Sequence, residues 1–356
     1  MSTAPPVSVV ISGLGPICPL GIDLESLWTA LQVGTSGVRR VASLPADEMK
    51  SPFGGEVWDF TGEIEQFGKL ERGTQRLIRK GMRMMCREIQ MGVAAAQRAL
   101  EHAQIDLATV DSERIGVVYG CDYIQTTPDE YGDAVKRCLD ENGKFDFGRW
   151  AKHGISQMNP LWLLKYLPNM LACHVTIVHD CRGPSNTITC CEASSGLSIA
   201  ESRRVIQRGD ADACLSGGAE DRVNPLALFR QLCTGRLVIT DGSGDMTTIV
   251  RPFADDASGT IIGEGGGILL IEDTTSCKNR GGSPWFCIDG IGCRQSSTDA
   301  PLDVEIGRAS CRERVEISVV AVSLKTKTTP PPHLPSLGIQ EYARWLKRWL
   351  ESGCVR

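Results

Sequence analysis

The sequence contains no pair of cysteines at CxxC spacing, although 15 of its 356 residues are cysteines. This absence argues against a zinc ribbon and against a thioredoxin-type redox pair. The cysteines also lack the paired spacings of a disulfide framework, so we expect reduced thiols in a cytoplasmic protein. The sequence indicates neither a bound metal nor a cofactor.

Long hydrophobic runs and an excess of basic residues are also absent. The most apolar segment, residues 161–178, is interrupted by Lys165 and Pro168, which argues against a membrane span. The opening sequence MSTAPPVSVVISGLG has no basic start and only a short apolar run, unlike a signal peptide. A formal net charge of −5 argues against a nucleic-acid-binding surface. We therefore expect a soluble protein that binds neither membranes nor nucleic acids.

The charge balance changes near residue 304. Residues 1–304 carry 29 Lys and Arg against 38 Asp and Glu, whereas residues 305–356 carry 9 against 5. The segment EIGRASCRERVEISVVAVSLK, residues 305–325, resembles the in-frame translation of a sequencing-adapter oligonucleotide. We interpret residues 305–356 as an artefactual tail and leave them out of the fold prediction. The alternative is a basic tail that docks a partner.

Strand-like and helical segments alternate in the first 304 residues, which predicts an α/β fold. Buried strands are predicted for SVVISGLG, RIGVVYG, ADACLSGG and GILLIED, of which the third runs from Ala211 to Ser216 and leads into Gly217 and Gly218. Residues 79–106 predict one long helix with a methionine-rich core face. Residues 173–180 read as a strand on which His174 and His179 face opposite sides, which is poor metal-ligand geometry. Gly13 and Gly15 predict a tight turn rather than a dinucleotide-binding loop, since the third glycine of that fingerprint is missing.

The most informative segment is TITCCEASSGLS, residues 187–198. It predicts a short strand, a tight turn and a helix from about residue 193 to residue 208, with Gly209 as its stop. Two cysteines, Cys190 and Cys191, and then Glu192 stand at the turn. The positive end of the helix macrodipole favours a carboxylate at this place even if Glu192 has no active role.

These motifs resemble the β-ketoacyl-ACP synthases, the condensing enzymes of fatty-acid and polyketide synthesis. The similarity runs from VVISGLGPICPLG to about IDGIGCRQSSTDAP and includes HVTIVHDCRGPSNTI, GDADACLSGGAED and RPFADDASGTIIGEGGGILLIED. It implies a thiolase-like fold, in which two similar α/β halves each hold a five-stranded mixed sheet between helix layers, usually in a dimer. Residues 1–255 would form the N-terminal domain, and residues 256–304 the truncated start of the second domain with its opening strands.

The resemblance also implies a chemistry. In the family, a cysteine at the start of a buried helix accepts an acyl chain from an acyl-carrier protein, and two histidines promote decarboxylation of a malonyl unit. The spacing from Ser185 and from Gly209 places Glu192 at the nucleophile position, and Cys191 is the alternative nucleophile if the turn is re-registered. None of the five histidines lies in the family's HG-T/S or G-H context; they are His102, His153, His174, His179 and His333.

We expect Glu192 to be buried and to act either as a negative charge stabilised by the helix dipole or as a protonated hydrogen-bond donor. It cannot form a thioester, so whether this chain is itself an enzyme stays open. The expected partners are an acyl-carrier protein, malonyl and acyl thioesters, and a second synthase subunit in a homodimer or heterodimer. The alternative function is that of a non-catalytic, chain-length-factor-like subunit. Phe229 is a candidate for shaping an acyl tunnel, although such aromatics more often belong to the core.

Overall fold

The computed structural model describes residues 7–295, except positions 123, 234, 241, 244, 252–253 and 255–256, together with residues 320–323. The strands in these ranges are β1 (Val9–Ile17), β2 (Arg39–Arg40), β3 (Phe53–Gly55), β4 (Ile115–Gly120), β5 (Ser185–Ile188), β6 (Ala213–Asp221), β7 (Ile262–Asp273), β8 (Phe286–Cys287), β9 (Gly292–Gln295) and β10 (Val320–Ser323). The α-helices are α1 (Leu24–Gln32), α2 (Arg72–Gly81), α3 (Arg87–His102), α4 (Pro128–Arg137), α5 (Trp162–Lys165), α6 (Met170–His179), α7 (Ser194–Gln207), α8 (Pro225–Cys233) and α9 (Thr274–Asn279).

A mixed sheet forms the centre of the molecule. Its longest strand, β7, runs antiparallel to both β1 and β6. Strands β4 and β5 continue the sheet in parallel with β6, while β3 and β2 extend it from the start of β7 and β8 pairs with β1. β9 and β10 form a separate parallel pair. The predicted α/β class and the four predicted buried strands are confirmed.

Helices cover both faces of the sheet. Successive residues of a strand point to opposite faces, so Leu270 and Ile271 report on the two sides. Leu270 packs in the cluster that α3 and α6 complete, and Ile271 packs with Val205 and Ile206 of α7. The sheet therefore lies between two helix layers. No helix within the described ranges has both the length and the apolar character needed to cross a bilayer.

The long helix predicted for residues 79–106 is interrupted. The end of α2 is followed by a 3₁₀ turn over Met82–Met84, and Met85 and Cys86 are extended before α3 begins at Arg87. The break turns the first residues of α3 toward the end of the sheet, where Arg87 forms hydrogen bonds with Glu264 and with two loop carbonyls. The predicted core face is confirmed beyond the break, because Met85, Ile89, Val93 and Ala96 are buried.

Three further local predictions are wrong. Residues 173–179 belong to helix α6 instead of a strand, since a short apolar run does not by itself distinguish the two. Gly13 and Gly15 lie inside β1, where a Cβ on Gly15 would approach the carbonyl oxygen of Ala95 in α3 to 1.9 Å. β6 continues through Gly217 and Gly218 to Asp221, past the strand end predicted at Ser216. These glycines serve close packing within regular structure.

Candidate functional site

The turn between β5 and α7 carries the residues that the sequence singled out. The Ser194 hydroxyl closes this turn: it accepts a hydrogen bond from the Cys190 backbone N–H (2.8 Å) and donates one to the Cys191 carbonyl (2.6 Å). Cys191 has a φ of 49°, in the left-handed region that costs a non-glycine residue roughly 1–2 kcal/mol. Helix α7 begins at Ser194, one residue after the predicted start, and Gly209 ends it with the expected positive φ of 79°.

A cavity of about 250 Å³ lies beside this turn, where β4 and β6 end and β7 begins. Cys191 and Glu192 both line it, together with Cys121, Asp122, Glu220 and the first residues of α7. Glycines supply much of the remaining wall, namely Gly120, Gly218, Gly265, Gly266 and Gly267. The cavity is therefore a cleft with backbone on one side and three carboxylates around it. No histidine is among its described lining residues.

The first turn of α7 lies directly on the end of β4, and Gly120 makes that approach possible. A Cβ on Gly120 would lie 2.3 Å from both the Ser194 carbonyl carbon and the Ser195 nitrogen.

We expect Gly120→Ala to lower the free energy of unfolding by about 3 kcal/mol, because the backbone of α7 would have to move. Urea denaturation measures the change. Gly73→Ala in α2 is the matched control: nothing lies within 4 Å of that position, and alanine there should stabilise the helix by about 0.5–1 kcal/mol. The close packing of α7 on β4 would be contradicted if Gly120→Ala left the free energy of unfolding unchanged or raised it, as Gly73→Ala should.

Glu192 is not buried, contrary to the expectation from the sequence. Its side chain is 64% exposed, and its Oε1 accepts a hydrogen bond from Nη1 of Arg236 at 2.8 Å. Arg236 follows α8, 44 residues further along the chain. In this contact the carboxyl group accepts a hydrogen bond from a guanidinium and does not donate one. Local sequence could not indicate Arg236, because no spacing rule links this loop to the turn before α7.

Cys191 is exposed but is poorly prepared to act as a nucleophile. Loss of solvent around the sulfur raises the pKa of the Cys191 thiol, and the negative charges of Asp122 and Glu192 raise it further. Arg230 acts in the opposite direction without reversing the shift. The thiolate is the reactive form, so a raised pKa slows attack on a thioester.

A charged cluster forms one wall of the cavity. The buried carboxylate of Asp122 accepts hydrogen bonds from Arg222 (2.8 Å) and Arg230 (3.1 Å), and Arg222 also pairs with Glu220 at 2.5 Å. Burial raises the pKa of Glu220, while the charge of Arg222 opposes the rise. No sequence pattern indicates these four residues, which come from two strand ends and from α8.

Arg230 also lines a second, larger cavity of about 610 Å³ on the other side of this cluster. Phe229 is part of that cavity's wall and at the same time packs against a small hydrophobic cluster with Leu228 and Leu237. Its position is compatible with both interpretations weighed from the sequence, and a role in an acyl tunnel stays a prediction. Asp122 lines the cleft beside Glu192, Arg230 lines the larger cavity, and the ion pair between them stands between the two.

Beneath the cleft lies a group of buried acids around Arg87. Arg87 binds both carboxylate oxygens of Glu264 at 2.5 and 2.7 Å, and Glu88 accepts a hydrogen bond from the Asp221 backbone N–H at 3.1 Å. Burial raises the pKa of Glu88 well above its usual range, and the nearby charge of Asp221 adds to this. Burial, and then the charge of Glu264, raise the pKa of Asp221 to about 7. Glu264, which directly precedes three cavity glycines in GEGGG, could have been suspected from that context.

The raised pKa values of these buried carboxyl groups predict that the stability of the fold depends on pH. A carboxyl whose pKa is higher in the folded than in the unfolded state binds more protons when folded, so stability falls as pH rises between the two values. For Asp221 that window runs from about pH 4 to about pH 7. We expect the urea midpoint to decrease across this range, and we expect Asp221→Asn to flatten the decrease. An unchanged slope in Asp221→Asn would contradict the assignment to this residue.

In the part of the chain that the structure describes, no three His, Cys, Asp or Glu side chains are grouped closely enough to hold a metal ion. His174 and His179 lie on α6. Burial lowers the pKa of both, that of His179 to about 4. Neither histidine lines the two cavities described above.

Comparisons with solved structures identify the fold as that of the ketosynthases, which is thiolase-like. One such structure contains a type II polyketide acyl-carrier protein in complex with its ketosynthase, with a TM-score of 0.62 at 19% identity, covering 80% of this chain and 62% of that one. Another, the ishigamide ketosynthase/chain length factor, has a TM-score of 0.63 at 22% identity, covering 80% of this chain and 63% of that one. At such identities the likeness concerns the fold alone.

The chain belongs to the β-ketoacyl synthase family, because residues 7–276 match the model of the family's N-terminal domain. A curated relative, 3-oxoacyl-[acyl-carrier-protein] synthase 2 of Synechocystis, is 30% identical over 305 residues, covering 85% of this chain and 67% of that protein. The synthase 2 of Staphylococcus aureus strain MRSA252 is 29% identical over 287 residues. That match covers 80% of this chain, which spans 62% of the length of the Staphylococcus relative.

The predicted domain limits at residues 255 and 304 stay predictions, and the predicted tail lies outside the described residues apart from β10.

Proposed function

We propose that this protein serves fatty-acid or polyketide synthesis by binding acyl chains on an acyl-carrier protein, without forming an acyl-enzyme on its own. The observation that carries this proposal is the ion pair of Glu192 with Arg236 at the position where the family resemblance expects a cysteine. A carboxylate held by a guanidinium offers no sulfur for thioester formation. The adjacent thiol of Cys191 has a raised pKa and does not replace it.

The remaining features of the site support binding. The cleft beside Glu192 and the larger cavity, which has Phe229 in its wall, lie on either side of the Asp122–Arg230 pair. We propose that an acyl chain whose thioester lies at the cleft reaches the larger cavity past this pair. The family's decarboxylation step depends on two histidine motifs, and no histidine of this sequence lies in either context. We therefore expect the chain by itself not to condense acyl groups.

A second candidate is a chain-length-factor-like subunit that pairs with an active synthase. The exposed Glu192 favours it, since such a subunit needs no nucleophile. β5 also ends the sheet, and Ser185 and Asn186 on it are exposed, which leaves an edge to which a partner strand could add. Mixing the chain with a synthase that has its own cysteine distinguishes the two candidates. Condensation by the synthase that depends on the added chain would support the partner subunit, whereas binding of an acyl-carrier protein by the chain with no effect on the synthase would support the first candidate. Malonyl-carrier decarboxylation by the chain alone would contradict both.

The carrier protein would dock on a cationic surface formed by α2 and the 3₁₀ turn after it. Five cations stand between residues 72 and 83, with no acidic residue among them. All five are exposed: Arg72, Arg76, Arg79, Lys80 and Arg83. The last turn of α2 places cations near the negative end of the helix, where they are stable without partners from the same helix. A surface of one sign steers a partner of the opposite sign, so we propose an acidic acyl-carrier protein.

Charge reversal tests this docking. The double substitution Arg76→Glu and Arg79→Glu should weaken binding of an acidic holo-acyl-carrier protein by about tenfold at low salt, and the difference should shrink in high salt. Surface plasmon resonance with immobilised carrier measures the affinity. Lys136→Glu with Arg137→Glu, exposed on α4, is the matched control and should bind as the unaltered protein does. Equal losses in the two double variants would point to net charge rather than to α2.

A further inference from the structure

The larger cavity has an unusual wall. Four of its ten lining residues are aromatic, although aromatic residues make up only 6% of the chain. The four rings come from separate elements: Tyr131 from α4, Trp150 from a π-helical turn over Trp150–Gly154, Trp162 from α5 and Phe229 from α8. The tertiary fold therefore brings the four rings together, and they are not simply the apolar face of one amphipathic helix.

The two indoles in this wall are held in position. Trp162 donates its Nε1–H to the hydroxyl of Thr126, another lining residue, at 3.1 Å, and its ring lies 6.3 Å from that of Tyr166. The Trp150 ring lies 6.0 Å from that of Phe145. Both distances fall within the range of favourable aromatic pairs. Two fixed indole rings therefore stand in a wall that also holds the aliphatic side chains of Ile124, Met158 and Leu226.

The volume of the cavity fits a small ligand. At about 610 Å³ it lies within the range of small-molecule sites, which runs from about 300 to 1,000 Å³. Arg230 lines the cavity and binds Asp122, which lines the cleft, so the guanidinium marks the side of the cavity that adjoins the cleft. A guanidinium also stacks favourably on flat π systems.

From this arrangement we propose that the cavity selects conjugated or aryl acyl chains over saturated chains of the same length. The inference rests on the proposed function, because it assumes that the cavity holds the acyl part of a carrier-bound substrate. A rigid conjugated chain stacks on the indoles and loses less conformational freedom on binding than a saturated chain does.

Free fatty acids test this selectivity on the full chain without any carrier protein. Parinaric acid, a conjugated tetraene, is fluorescent and accepts energy from tryptophan, and stearic acid is the saturated acid of the same chain length. We expect parinaric acid to bind about tenfold more tightly than stearic acid in a displacement titration. Trp150→Leu and Trp162→Leu should each weaken parinaric acid about threefold and change stearic acid by less than twofold. Trp28→Leu, on the exposed face of α1, is the matched control.

Each outcome has a distinct meaning. Equal affinity for the two acids would overturn the selectivity and leave the proposed function intact. No binding of either acid would contradict the acyl-binding role itself, and with it the inference. A loss in Trp28→Leu as large as that in Trp150→Leu would show that the probe binds elsewhere, which also overturns the proposal. Because Trp150 and Trp162 lie on separate elements, a folding defect in one variant leaves the other as an independent test.

Discussion

Glu192→Cys should give a thiol that iodoacetamide alkylates at neutral pH about tenfold faster than it alkylates Cys191 in the unaltered protein. The introduced sulfur would stand just before helix α7 and beside Arg236, whose guanidinium now lies 2.8 Å from the Glu192 carboxylate. A nearby cation and a helix N-terminus both lower a thiol pKa, typically from about 8.5 to between about 3.5 and 7.5. The same substitution removes the negative charge that helps to raise the pKa of Cys191.

Peptide mass spectrometry measures the rate at each position, which is necessary because all thirteen cysteines in the described ranges are free thiols. Adding Arg236→Met to Glu192→Cys is the decisive control, since it removes the cation and should lower the rate to the part that the N-terminus of α7 supports by itself. If iodoacetamide instead labels Cys191 of the unaltered protein at the faster rate, the assignment of Glu192 to the nucleophile position is wrong. Cys191 would then be the nucleophile, and its left-handed backbone conformation would help to direct the sulfur toward the cleft.

The fold could be predicted from the sequence wherever a local pattern decides the structure. The apolar runs of β1, β4, β6 and β7 are bounded by polar or glycine residues, and Gly209 ends α7 with a positive φ as its position suggested. Prediction failed where packing decides. Met85 and Cys86 would continue a helix by propensity, yet they are extended because α3 must begin where Arg87 reaches Glu264. The predicted strand ends at Ser216, but Gly217 and Gly218 continue β6 beside β7.

For the site, the sequence located the turn but not its electrostatic environment. Spacing from Ser185 and Gly209 was enough to single out Cys191 and Glu192, and both line the cleft. The groups that set their charges are distant in the chain: Arg236 lies 44 residues from Glu192, and Arg222 lies 100 residues from Asp122. Only the parallel pairing of β4 with β6 brings Asp122 and Arg222 together. The burial expected for Glu192 also failed, because it rested on the family's arrangement and not on a local pattern.

Arg87→Met should lower the free energy of unfolding by about 3–5 kcal/mol, the usual cost of leaving one partner of a buried ion pair alone. The side chain of Glu264 is 3% exposed, and Arg87 supplies both of its charged hydrogen bonds. Arg87 also donates to the carbonyls of Phe60 (2.9 Å) and Val57 (3.0 Å), so one side chain joins α3, the start of β7 and the loop after β3. The glycines that open the cleft directly follow Glu264, which makes this contact a support of the cleft floor.

Two comparisons make the Arg87→Met result interpretable. Arg114→Met breaks a pair with Asp212 in which the side chains are 35% and 40% exposed, and it should cost no more than about 1 kcal/mol. Adding Glu264→Leu to Arg87→Met removes the unpaired buried charge and should recover much of the lost stability. Chemical denaturation followed by circular dichroism measures all three variants. A cost for Arg87→Met as small as that of Arg114→Met would mean that water reaches Glu264. The acids beneath the cleft would then be in contact with water. In that case the urea midpoint of Arg87→Met should no longer decrease between about pH 4 and about pH 7, as Asp221 predicts for the unaltered protein.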